Sequence, residues 1–109
     1  LAIAYTSCYH FGLIYTQKRI FLYILDFNKE GKESLELPID SEILSCELQD
    51  NEIRIWALIN PREEKTELRF FEIFGTGHEI GYDMGISRKF INTLLFRNGL
   101  VFHLFERIS

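Results

Sequence analysis

FINTLLFRNGLVFHLFE, residues 90–106, sets two apolar runs on either side of Arg97-Asn98-Gly99. Phe, Ile, Val and Thr suit a pleated, half-buried surface, and Asn-Gly between two such runs favours a tight hairpin because both residues accept positive φ. The stretch therefore predicts paired antiparallel strands over Phe90–Phe96 and Leu100–Glu106. One or two helical turns over Ser87–Leu95 are the weaker alternative. The same grammar extends backwards. Thr66–Phe74 places Leu68, Phe70 and Phe74 on one side and Phe71 and Ile73 on the other. Ile53–Ile59 sets Ile53, Ile55, Ala57 and Ile59 opposite Trp56, behind an Asp50-Asn51 turn. Ile43–Gln49 puts Leu44, Cys46 and Leu48 on one face and Ile43, Ser45 and Glu47 on the other. Ser34–Ile39 alternates as well, and Pro38 marks it as an edge or a strand end. Ile20–Phe27, apolar almost throughout, suits a central strand. Seven runs at this spacing, with no sustained helical period, predict an all-β or β-rich α+β domain: a small antiparallel sandwich or curled barrel of about seven strands with at most one short helix.

At 109 residues, with 47% hydrophobic and 15% aromatic residues, the chain carries enough apolar material for one core without disulfides or a metal. Residues 18–109 read as that single domain, and residues 1–17 as an extra strand or arm. The uncharged stretch Leu1–Gln17 lacks a basic start and is too short to span a bilayer, so a cytoplasmic protein with reduced thiols is expected. A net charge of −4 argues against a protein that coats nucleic acid, whose nonspecific affinity comes from Lys and Arg on phosphates. The charge is also uneven. Residues 26–52 hold nine acids against Lys29 and Lys32, whereas residues 53–109 hold seven acids and eight bases. If the acidic stretch forms one face it steers a basic partner; otherwise it is a solvated surface that keeps a Phe-rich domain soluble.

Signals for chemistry are sparse. Cys8, His10, Cys46, His78 and His103 match no zinc-ligand spacing, and no cofactor, metal or catalytic residue is expected. Gly75-Thr76-Gly77-His78 is the best local candidate for a ligand. A Gly-Thr-Gly turn after a strand exposes backbone N–H groups to which an anion or phosphate can bind, with His78 alongside. The plainer reading is a loop that uses glycine for positive φ, with His78 tying down the backbone. His103, inside an apolar strand, reads as a half-buried histidine with a satisfied partner. Arg54, Trp56 and Arg69 combine ring and guanidinium groups that suit base stacking or a protein hot spot, although Trp56 is expected in the core.

Glu42-Ile43-Leu44-Ser45, Trp56-Ala57-Leu58, Phe74–Ile80 and Leu100–Glu106, above all the Gly-Thr-Gly-His turn and the closing Val101-Phe102-His103, resemble a family of short, functionally uncharacterised proteins of bacteriophages and prophages. The likeness runs from about Arg19 to Glu106. It implies a phage-related origin and brings no activity with it. With the acidic stretch, it leads to an expected non-enzymatic inhibitor or adaptor of counter-defence (anti-CRISPR-like) type. That protein would present Glu30, Glu33, Glu36 and Asp40 to a basic surface of a host or defence protein, with no direct contact to nucleic acid or membrane. The alternatives are a small-ligand or nucleotide-binding module using Gly75, Thr76, Gly77 and His78, and a phage assembly component that self-associates through sheet edges.

Overall fold

A computed structural model describes residues 17–80 and 86–108. Seven strands follow one another: β1 (Arg19–Leu25), β2 (Lys32–Pro38), β3 (Glu42–Gln49), β4 (Glu52–Ile59), β5 (Thr66–Gly75), β6 (Arg88–Leu95) and β7 (Val101–Arg107). All pairings are antiparallel, in a three-stranded sheet of order β1-β4-β3 and a four-stranded sheet of order β2-β5-β7-β6. The fold is an all-β sandwich rather than a closed barrel, and no helix occurs among the described residues. Arg88–Leu95 is strand, so the helical alternative over Ser87–Leu95 does not hold, in keeping with its β-branched and aromatic content. Apart from Gln17, the residues 1–17 expected as an extra strand or arm lie outside the described residues.

Turn chemistry accounts for the hairpins. Asp50 and Asn51 have φ of 50° and 62°, the positive pair that a two-residue hairpin turn requires. Gly99 has φ of 86°, and Phe96 N–H donates to the Leu100 carbonyl at 2.9 Å. Between β1 and β2 the chain changes sheets. There the Asn28 side-chain oxygen accepts from the Glu30 and Lys32 N–H groups, and Gly31 adopts φ of 73°.

Alternation sends one set of side chains into the interior. Leu25, Cys46, Ile53, Ile55, Phe71, Leu94 and Leu104 form the buried core, with Tyr23, Leu35, Leu48 and Ile73 packed against it. The two sheets meet most closely along β3 and β6, where the Asn92 amide donates to the Cys46 carbonyl at 2.6 Å. Both strands bulge here, β3 between Ile43 and Ser45 and β6 between Phe90 and Asn92. The β3 bulge corrects the expected facing. Ile43 pairs with Ala57 and joins the inward set with Cys46, while Leu44 is expelled to solvent. An extra residue in one strand inverts the alternation on one side of it, which a pattern of period two cannot show.

Two further expectations change. β1 is an edge strand, not a central one. Its run is apolar because Leu25 faces the core while Ile20 and Ile24, 42% and 50% exposed, face outward. Trp56 is half-buried on the outer side of β4, not in the core. Pro38 is the last residue of β2, an edge strand, where its missing N–H disturbs no interior ladder.

At one end of the sandwich the inner face of the four-stranded sheet carries charge. The Arg69 Nε and Nη2 atoms donate to the two carboxylate oxygens of Glu106, and Nη1 donates to the Ser41 carbonyl at 2.7 Å. Arg69 thereby ties β5 and β7 to the turn through which the chain crosses from β2 to β3. The pair forms part of the wall of a cleft of about 800 Å3 that is also lined by Asp40, Leu68, Phe70 and Ile108.

Candidate functional site

The four acids Glu30, Glu33, Glu36 and Asp40 are not brought together. Glu33 lies opposite Phe71 and Glu36 opposite Leu68, so successive odd-numbered steps send them to opposite faces of β2. Glu30 and Asp40 stand in the turns beyond the two ends of that strand, with roughly 23 Å of strand between them at about 3.3 Å per residue. Locally, Glu33 accepts from the Ser34 N–H at 2.8 Å and Glu36 accepts from the Thr66 hydroxyl at 2.7 Å. Asp40 lines the cleft beside the Arg69–Glu106 pair.

A different set of acids does share a face. On the outer side of the three-stranded sheet, Leu58 stands between Ile20 and Glu42, Trp56 between Leu22 and Ser45, and Arg54 between Ile24 and Glu47. The outward β1 residues are thus apolar and continue into Trp56 and Leu58 of β4. Arg54 and Glu52 end β4, while Glu42 and Glu47 stand along β3 with Ser45 and the exposed Leu44 between them. Arg54 is held by the Gln49 side-chain oxygen at 2.7 Å and by Glu52 at 3.3 Å. Trp56 lies at the centre of this apolar stripe.

The outer side of the four-stranded sheet is of another kind. Ser34, Phe70, Arg107 and Arg88 form one cross-strand row, and Lys32, Glu72, Phe105 and Phe90 form the next; Phe74, His103 and Thr93 form a third. Phe105 meets Phe74 and Phe90 edge-to-face at centroid distances of 5.7 and 5.4 Å. The Arg88 guanidinium lies 5.5 Å from the Phe74 ring centre and donates to the buried Glu72 carboxylate at 2.8 Å.

The pairing Phe74↔His103 also brings the Gly-Thr-Gly-His turn to the closing strand. His103 Nε2 lies 2.8 Å from the Thr76 hydroxyl and Nδ1 lies 3.0 Å from the Thr93 hydroxyl. A hydroxyl both donates and accepts, so either imidazole tautomer is satisfied. Thr93 supplies a neutral hydroxyl where a base–nucleophile relay uses an ionised carboxylate, so the two hydroxyls fix the orientation of the ring. His78 folds back onto its own turn: its N–H donates to the Gly75 carbonyl at 3.0 Å, and a Cβ on Gly75 would stand 2.8 Å from the imidazole Nδ1. Of the two glycines, Gly77 supplies the positive φ, 84°, and Gly75 supplies room for the ring. The Gly75–His78 turn, Thr93 and His103 therefore converge at one end of the aromatic face. Residues 81–85 lie outside the described residues.

Cys46 is fully buried, and burial, with the Glu47 charge beside it, pushes its thiol up to about 12. It is a core side chain, unsuited to act as a thiolate nucleophile or metal ligand. Among the described residues no three His, Cys, Asp or Glu side chains cluster as metal ligands; Cys8 and His10 lie outside them. A thiol reagent at neutral pH is expected to modify Cys46 only at the rate of global unfolding, read by mass spectrometry with and without urea. The unfolded thiol ionises near its ordinary value of 9.0 and the folded one near 12. This contribution to stability is therefore complete below pH 9 and declines as pH rises from there toward 12. Cys46→Ala removes that component of the alkaline decline in the urea midpoint.

No helix of the described chain is long and apolar enough to cross a membrane. No curated protein and no solved structure matches the sequence. The model of a domain of unknown function (DUF7352) matches residues 16–109, and the chain belongs to that family.

Proposed function

We propose that this chain is a non-enzymatic protein-binding module, an adaptor or inhibitor, that engages its partner through the outer face of the β1-β4-β3 sheet. The observation that carries the reading is the stripe of Ile20, Leu22, Ile24, Trp56 and Leu58, flanked by Glu42, Glu47 and Glu52. A contiguous apolar patch rimmed by charge marks an interaction site, and a central Trp beside an Arg is the side-chain pairing enriched among interface hot spots. The acidic rim selects a partner with basic residues around an apolar contact. The acidic-surface idea drawn from residues 26–52 is thus kept, with its residues moved from β2 to β3 and β4. Inhibition of a host defence protein is the form of this reading that the phage-type resemblance suggests.

The test is co-purification of tagged wild type and variants side by side. A basic protein retained by wild type is expected to be lost with Trp56→Ala and with Glu42→Lys/Glu47→Lys. Retention that survives both, and is lost instead on charge reversal at Glu33, Glu36 and Asp40, assigns the contact to β2 and removes this face from the account.

A further inference from the structure

The outer face of the four-stranded sheet lies on the other side of the sandwich from the proposed protein contact and needs a separate explanation. Phe70 and Phe90 are 49% and 52% exposed there, beside the interlocked rings of Phe74 and Phe105. Lys32, Arg88 and Arg107 share the face with two acids, Glu36 and Glu72. Glu72 is buried and holds Arg88, and Glu36 accepts from Thr66. One end of the face carries the hydroxyl and imidazole groups of Thr76, Thr93 and His103. Near the other end, Phe70 and Arg107 line the same cleft as Ile108 and Asp40.

We propose that this face binds single-stranded nucleic acid, with bases stacked on Phe70 and Phe90 and phosphates met by Lys32, Arg107 and the Thr76–His103 end, while Arg88 stays paired with Glu72. The chemistry separates this ligand from a protein partner. Phe70 and Phe90 offer exposed rings, which stack on any base, beside the exposed aliphatic Leu68 and Leu95, and the cations suit a phosphate backbone. Size separates it from a single nucleotide, because four strands at about 4.8 Å spacing and three rows along them exceed one base and its phosphate. The overall charge of −4 argues against a protein that coats duplexes; this face is a local exception in which acids are few and engaged. The proposal does not depend on the protein-binding reading, since the two use opposite faces.

Fluorescence anisotropy with labelled oligo(U) and oligo(dT) strands of about twelve nucleotides tests it. Binding is expected to weaken roughly tenfold for Phe90→Ala and for Phe70→Ala. Phe90→Leu, which keeps an apolar side chain but no ring, is expected to lose about as much. Two phosphate contacts on a single strand, by Lys32 and Arg107, predict about a sevenfold loss between roughly 50 and 200 mM salt, shallower for Arg107→Ala. Trp56→Ala leaves the affinity unchanged, which keeps this outcome distinct from that of the protein contact. Four results overturn the proposal: no binding at low salt, full binding by Phe90→Leu, equal binding of a duplex of the same length, or equal binding of a mononucleotide.

Discussion

Arg69→Ala is expected to lower the unfolding free energy by about 3–5 kcal/mol, as is Glu106→Ala. Each leaves its partner as a charge held away from water. Glu106 is only 4% exposed and accepts two bonds from a guanidinium that also holds the Ser41 carbonyl. The Arg69→Met/Glu106→Leu pair is expected to recover most of the loss, because two packed apolar side chains of similar volume avoid the desolvation cost altogether. Recovery stays short of wild type by the bond to Ser41, on the order of 1 kcal/mol. Urea denaturation of the three variants reads this out. Two single substitutions costing under about 1 kcal/mol each would show the pair to be solvated rather than part of the interior.

Phe70 and Phe71 are neighbours in sequence with opposite expected outcomes. Phe71 is fully buried in the core between the sheets, so Phe71→Ala is expected to cost about 3–5 kcal/mol through lost burial and the cavity left behind. Phe70 points to the other side of β5 and is half exposed, so Phe70→Ala is expected to stay within about 1 kcal/mol. The contrast tests register directly, since a slip of one residue in β5 exchanges the two side chains. Equal losses at both positions, measured by urea midpoint at constant m-value, would contradict the assigned facing.

The strands were legible because each is short, alternating and bounded by residues with a turn chemistry of their own. Asp50-Asn51 and Asn98-Gly99 announce their hairpins through tolerance of positive φ, and Pro38 announces an edge. Strand order was not legible. β1 pairs with β4 past two intervening strands, of which β2 joins the other sheet and β3 the same one, and local periodicity carries no information about that choice. For the same reason the central place expected for β1 does not hold: an apolar run shows that both faces are apolar, not that both are covered. The bulges at Leu44 and Ile91 broke the facing without leaving a Gly or Pro to mark them.

The candidate sites divide in the same way. Gly75-Thr76-Gly77-His78 and His103 each stood out alone, yet their meeting depends on the β5–β7 register across a separation of 27 residues, and Thr93 gave no signal at all. The acids failed for a simpler reason. Density of charge along a chain does not translate into density on a surface when the residues alternate faces, as Glu33 and Glu36 do. Of the acids that do share a face, Glu47 already alternated away from Cys46 and Glu52 lies on β4; Glu42 was hidden by the β3 bulge, which turns it outward.

Trp56 is the single tryptophan of the chain, so its emission reports on the acid-rimmed face alone. Collisional quenching of the intact protein by caesium and by iodide tests directly whether that face is open and negative. The account predicts an accessible indole that caesium quenches more strongly than iodide, with the preference reversed in Glu42→Lys/Glu47→Lys. A blue-shifted emission that neither ion quenches would place Trp56 in an interior and contradict a working surface on this side of the sandwich.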